Sequence, residues 1–251
     1  MELRELGQTG YNVSVIGLGT VKFGRNSGVK YPIDFDLPGD REIVELFSAA
    51  REQGINFLDT APAYGLAEER IGTLLPDPRG WIIATKVGEI FENGVSAFDF
   101  SAAAIRRSVE RSCRLLRRDY LDLVLVHSDG RDLDIIENSD AFQTLRELKQ
   151  LGDIAAFGLS GKTVAGGLAA LEQSDAVMVT LNADDQSQLP VIEAAAAAKK
   201  GVLIKKAFDS GHLADPATLT DIARTPGVHS IVVGTLNPDH LAANCRAVDP
   251  G

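Results

Sequence analysis

The chain has 251 residues, a formal net charge of −10 and a pI near 4.9, with 45% hydrophobic and 24% charged residues. That balance suits a globular chain with a large core, and its acidity argues against the basic face that nucleic acid or anionic lipid would need. Cys113 and Cys245 lie far apart and the four histidines have no ligand spacing, so neither a zinc or redox motif nor any metal is expected.

No apolar run approaches membrane-spanning length, so no membrane contact is expected. The polar opening MELRELGQTG carries no signal-like segment, which makes the cytoplasm the default location. In chain order, residues 3–14 read as a hairpin around Gly7–Gly10, and residues 13–20 (VSVIGLGT) as a buried strand. Residues 24–39 have no period and read as a loop. A helix follows over 40–54, capped by Asp40, with Ile43, Leu46, Phe47 and Ala50 on one face. Strand and helix then alternate: INFLDT and AEERIGTLL, WIIATKV and a long helix capped by Ser101, LDLVLVHS and DAFQTLRELKQLG. The pattern continues with DIAAFGLS and TVAGGLAALEQ, DAVMVTLN and LPVIEAAAAAKKG, VLIKKA and PATLTDIAR, SIVVGT and NPDHLAANCRAV.

Eight strands alternating with eight helices imply a parallel sheet, and continuous apolar strands imply that both faces are covered. Over about 250 residues this predicts an α/β fold, a closed (β/α)8 TIM barrel occupying 1–251 as one domain, with the N-terminal β-hairpin closing the barrel bottom. A doubly wound open sheet is the runner-up. It would want G-x-G-x-x-G after the first strand, but position 22 is Lys22.

In such a barrel the chemistry belongs to the C-terminal strand ends. There stand Asp59 with Tyr64 in the following loop, then Lys86, His127, Ser160, Lys205 and Lys206, and Gly234 with Thr235. Singly, each has an ordinary structural reading. Three consecutive apolar strands closed by ionisable groups instead point to a site, because each group is costly to bury unpaired. A tyrosine beside an ammonium has its pKa lowered, a carboxylate keeps that lysine charged, and a histidine can bond a substrate oxygen. Such a set can protonate a carbonyl oxygen while hydride arrives at carbon.

The stretches LRELGQTGYNVSVIGLGTVKFG, GINFLDTAPAYGLAEERIG, WIIATKVG, LDLVLVHSDG, GLSG and IVVGTLNPDHLAAN together resemble the aldo-keto reductases over nearly the whole chain. The resemblance implies a (β/α)8 barrel, bound NADP(H) or NAD(H), and reversible reduction of a small aldehyde or ketone. By position, Tyr64 matches the general acid, Lys86 its tuner, Asp59 the partner of the lysine and His127 the carbonyl orienter. Implied cofactor contacts are Gly19, Thr20, Lys22, Ser160, Lys205, Ser210, Gly211, Gly234, Thr235, Asn237, His240 and Asn244. The chain departs from the family pattern at Gly161 (asparagine there), Met178 (glutamine) and Lys205 (a stacking tyrosine). Basic residues common near the ribose 2′-phosphate are replaced by Gly234, Leu236 or His240, which leaves NADP against NAD open.

Two other readings stand beside this one: a non-catalytic nucleotide-binding sensor barrel, and a Schiff-base enzyme using Lys205 activated by Lys206. The sequence leaves the substrate, the direction of reaction and the oligomeric state open, a monomer among the options.

Overall fold

The apolar runs pair with one another in chain order and close on themselves. The computed structural model describes residues 1–32, 34–212, 215 and 217–249. A short antiparallel hairpin comes first, β1 (Leu3–Glu5) against β2 (Asn12–Ser14). The barrel strands are β3 (Ile16–Gly19), β4 (Phe57–Asp59), β5 (Ile82–Val87), β8 (Leu121–His127), β9 (Ile154–Ser160), β10 (Ala176–Thr180), β11 (Gly201–Lys205) and β12 (Ser230–Val233). All pair in parallel, and β9 against β10 and β12 against β3 complete the closed barrel expected from the sequence. Helices α1 (Asp40–Glu52), α2 (Ala67–Leu74), α3 (Ala102–Leu116), α5 (Ala141–Leu151), α6 (Val164–Gln173), α7 (Leu189–Ala197), α8 (Ala217–Arg224) and α9 (Pro238–Val248) follow the strands in turn.

The helices pack their apolar faces on the outside of the strands. Ile43, Leu46, Phe47 and Ala50 of α1 are buried as the period predicts. Phe47 stands edge-on to Phe23 at 5.5 Å and tilted against Trp81 at 6.1 Å. Ser101 caps α3 by accepting the Ala104 N–H. Asp40 is not the cap of α1 but its first helical residue; Gly39 caps, and the Glu42 carboxylate accepts the Gly39 N–H at 2.7 Å. Pro216, the expected first residue of the helix before β12, lies outside the described residues.

Inside the barrel, Phe57, Ala84, Leu123, Leu125, Ala156, Ala176, Met178 and Leu203 form a second apolar cluster, and Leu6 and Val13 of the hairpin join it from below. The hairpin is therefore a plug. Its turn lies hard against the start of β11: Gly7, at φ +56°, leaves room for no side chain, since a methyl there would be 2.4 Å from the Gly201 nitrogen.

Two elements lie outside the simple alternation. A second hairpin, β6 (Glu89–Glu92) with β7 (Val95–Phe98), rises from the end of β5 and pairs with no barrel strand. Its turn is Asn93–Gly94, both at positive φ, the two-residue loop that suits strand twist. A short helix, α4 (Asp132–Asn138), precedes α5. Asp132 is buried there and accepts from the Lys162 N–H, the Thr163 N–H and the Thr163 hydroxyl, so it shapes the loop after β9.

The plug predicts a stability effect without chemistry. Leu6 is fully buried, so Leu6→Ala should lower unfolding stability by about 2–5 kcal/mol, as other large-to-small core changes do, read from the urea midpoint. A loss under about 1 kcal/mol would mean the hairpin is not part of the core.

Candidate active site

Strand register explains why the charged residues meet. Asp59 lies opposite Ala84 on β5, and Lys86 is two residues further along the same strand, hence on the same inward face. The Lys86 ammonium reaches back to Asp59 Oδ1 at 2.6 Å. It also donates to the Thr60 carbonyl at 2.9 Å and to the Tyr64 hydroxyl at 3.1 Å. Lys86 and Asp59 are 1% and 4% exposed, so both charges are held by each other rather than by water. A 3-10 turn over Pro62–Tyr64 delivers the phenol, which donates to Asp59 Oδ2 at 3.4 Å. His127 closes β8 opposite Ser160 and meets Tyr64 edge-on, ring centroids 6.3 Å apart. All four expected residues therefore converge.

The electrostatics correct one expectation. The Tyr64 phenol is held well above its ordinary pKa, not below it, by burial and then by the neighbouring Asp59 carboxylate. The Lys86 charge is balanced by Asp59 and does not draw the proton off. Burial pushes the His127 imidazole down, as do the Lys86 and Lys205 ammoniums, while Glu89 opposes them.

These groups open into a cleft of about 470 Å³ at the barrel mouth. Gly19, Thr20, Lys22, Ser160, Lys205, Ser210, Gly211 and Gly234 line it, as expected. Met178 also lines it, and is otherwise buried in the barrel interior. Thr235, Asn237, His240 and Asn244 do not line it. Thr235 and Asn237 instead organise the start of α9: the Thr235 hydroxyl accepts the Asn237 N–H, and the Asn237 side chain accepts the N–H groups of Asp239 and His240. Asn244 is buried behind them.

Lys205 does not extend toward the cleft opening. Its ammonium folds across to β9, donating to Ser160 Oγ at 3.0 Å and the Gly161 carbonyl at 2.7 Å. Burial first, then Lys206 and Lys86, lower its pKa to about 7. Gly161 itself packs against Asp132: a methyl at that position would sit 3.1 Å from Asp132 Oδ2.

Two further residues shape the cleft. Tyr31, from the long first loop, stands near Gly211 and Gly234, under the Lys22 ammonium at 4.3 Å from its ring centroid. Burial raises its pKa to about 12. Glu89, on β6, brings a carboxylate to 2.7 Å from His127 Nδ1, and its own pKa settles at about 2, burial being outweighed chiefly by His127. The Asn93–Gly94 pair between alternating residues was the sequence signal for the hairpin that carries it.

A dinucleotide fits this donor set. In a chain of net charge −10, four lysines (Lys22, Lys162, Lys205 and Lys206) line one cleft alongside the paired Lys86. That is suitable charge for a pyrophosphate, with Gly211 and Gly234 offering backbone without side chains. Among the described residues no cluster could hold a metal ion, and no helix is long and apolar enough to cross a membrane.

Comparison with known proteins agrees with this geometry. The profile of the Aldo/keto reductase family matches residues 15–204. A crystal structure assigned to the aldo-keto reductases, from Pseudomonas aeruginosa, superposes with a TM-score of 0.91 at 54% identity, over 99% of this chain and 94% of that one. L-galactose dehydrogenase of Arabidopsis thaliana is 37% identical over 64% of this chain and 49% of its own length. D-arabinose 1-dehydrogenase of Saccharomyces cerevisiae is 36% identical over 50% and 38% respectively. The alignments thus span half or less of these curated relatives. The barrel, the convergent strand ends and the family profile agree, and the chain belongs to the aldo/keto reductase family.

Proposed function

We propose that this oxidoreductase interconverts a small carbonyl compound and its alcohol using a nicotinamide dinucleotide, with Tyr64 as the proton donor in reduction. The observation that carries the reading is the Lys86 ammonium, buried and shared between Asp59 at 2.6 Å and the Tyr64 hydroxyl at 3.1 Å. Tyr64 keeps its proton through neutral pH, as a donor must, and the ammonium beside it stabilises the phenolate as the proton leaves. Asp59 keeps Lys86 charged and in place. His127 bonds the substrate oxygen from the neighbouring strand end. Ser160, Lys205 and the Gly211 and Gly234 loops would hold the dinucleotide, which when bound supplies or takes the hydride. Relatives acting on L-galactose and D-arabinose favour a polar, hydroxylated substrate, in keeping with a cleft rich in lysine and hydroxyl groups.

One observation favours a second reading. Lys205 is a buried amine with its pKa lowered to about 7, beside Lys206, and such amines form imines with carbonyls. Its two hydrogen bonds to Ser160 and Gly161 argue that it is held as a donor on the cleft wall rather than free to attack a carbonyl. Borohydride added with a small aldehyde should therefore give the same adducts, at exposed amines, in the wild type and in Lys205→Met. A reduced adduct lost in Lys205→Met would favour the imine.

Tyr64→Phe should lower kcat of carbonyl reduction by at least about 100-fold while leaving the dinucleotide Kd within about twofold, because the phenol acts on the reacting oxygen. Fluorescence titration with NADH and NADPH and a turnover assay decide it; wild-type-like turnover would sink the mechanism. Discrimination between NADPH and NADH should be under about tenfold, since no arginine or lysine stands at Gly234, Leu236 or His240 to clamp a 2′-phosphate. A larger NADPH preference would direct attention to Arg246, which is exposed on α9, and Arg246→Ala against His240→Ala would identify the reader.

A further inference from the structure

Glu89 has no role in the site as proposed, yet it is one of the most constrained carboxylates in the molecule. It is the first residue of β6, and its side chain is 11% exposed. Oε1 accepts from the Ser96 hydroxyl at 2.6 Å across the hairpin and lies 4.0 Å from the Arg25 guanidinium. Oε2 lies 2.7 Å from His127 Nδ1. The other charged or titratable groups around His127 are Tyr64 from the turn after β4, Lys86 on β5 and Lys205 on β11. None of these offers a carboxylate oxygen.

The Glu89–His127 contact lies off the straight N–H direction, so it is a close electrostatic contact rather than an aligned hydrogen bond. It still fixes where the ring proton sits. A nitrogen lone pair facing a carboxylate oxygen at 2.7 Å is repulsive, whereas an N–H there is attractive. Nδ1 therefore carries the proton. With burial and two lysines pushing the ring toward neutrality, only one proton remains on it. Nε2 is then a bare lone pair. Nδ1 is shut off from solvent, whereas Nε2 makes no hydrogen bond among the described residues, and His127 lines the cleft.

We propose that Glu89 is a positioning residue that locks His127 in its Nδ1–H form, so that Nε2 accepts a hydrogen bond from a substrate hydroxyl. The resting site thus selects the alcohol or hemiacetal member of the redox pair rather than the carbonyl. The inference rests on reading the cleft as an oxidoreductase site. A buried carboxylate behind a histidine sets tautomer and orientation in other catalytic and metal sites by the same logic. To donate to a carbonyl oxygen, His127 would need a second proton, and the same carboxylate would stabilise the resulting cation.

Long-range 1H–15N correlation spectra of the 15N-labelled protein test this directly, with His127 assigned by its loss in His127→Gln. At neutral pH the wild type should show a protonated Nδ1 and a lone-pair Nε2, and glycerol, titrated as the hydroxyl probe, should move the Nε2 signal. In Glu89→Leu the proton should transfer to Nε2 and the His127 midpoint should fall by about one pH unit. Glu89→Gln should keep the Nδ1–H form through its amide oxygen while lowering the midpoint, which separates tautomer from charge if the leucine variant does not fold. An Nε2–H form in the wild type, an unmoved Nε2 signal with glycerol, or a variant midpoint equal to wild type would overturn the proposal. These readouts need no turnover, so their failure is distinct from the failure of Tyr64→Phe to abolish reduction.

Discussion

The site is organised around one interaction, the burial of the Lys86 ammonium against the Asp59 carboxylate. Removing two charges from water costs several kcal/mol per ion unless each finds the other and the remaining hydrogen-bonding capacity is filled. Here the capacity is filled by the Thr60 carbonyl and the Tyr64 hydroxyl. Lys86 cannot leave without stranding Asp59, and Tyr64 cannot swing away without exposing part of Lys86. The pair depends in turn on register, since sliding β5 by one residue would turn Lys86 to the outer face where Thr85 meets Glu68. The closed barrel and the buried ion pair thus rely on one alignment.

The cleft wall opposite is built differently. Ser160, Lys205 and the Gly161 loop are held by a chain of hydrogen bonds that begins at Asp132 on α4 and ends at the Lys205 ammonium. A side chain at Gly161 would be tight, because Asp132 and Leu159 each stand 3.1 Å from where its Cβ would lie. Those hydrogen bonds also accommodate a lysine on β11: its charge faces a carbonyl and a hydroxyl at the strand ends.

Most of the barrel was legible because its code is simple. Each strand is a short apolar run, each helix has a period and a stop, and an ionisable residue at the end of an apolar run is conspicuous. Asp59, Lys86 and His127 could be found that way, and Tyr64 by its place in the turn. What escaped depended on long-range partners. Asp132 reads as a loop residue until the β9 loop is seen folding onto it. Glu89 sits in a polar stretch whose Asn93–Gly94 turn was a local clue, but nothing local says that the hairpin leans over His127. The direction of the Tyr64 shift also needed the fold, since burial of the phenol is its main cause and the Asp59 carboxylate beside it adds to that.

The 89–98 hairpin shares no ladder with the barrel, and Val95, Ile90 and Phe98 on it are largely exposed. A change of length or sequence at its tip therefore leaves every barrel register untouched. Glu89 moors its first residue to His127, and Phe91 packs beneath the Arg25 guanidinium. Sequence change at this tip can therefore accumulate while the Asp59, Tyr64, Lys86 and His127 cluster beneath it stays fixed, at little cost to folding.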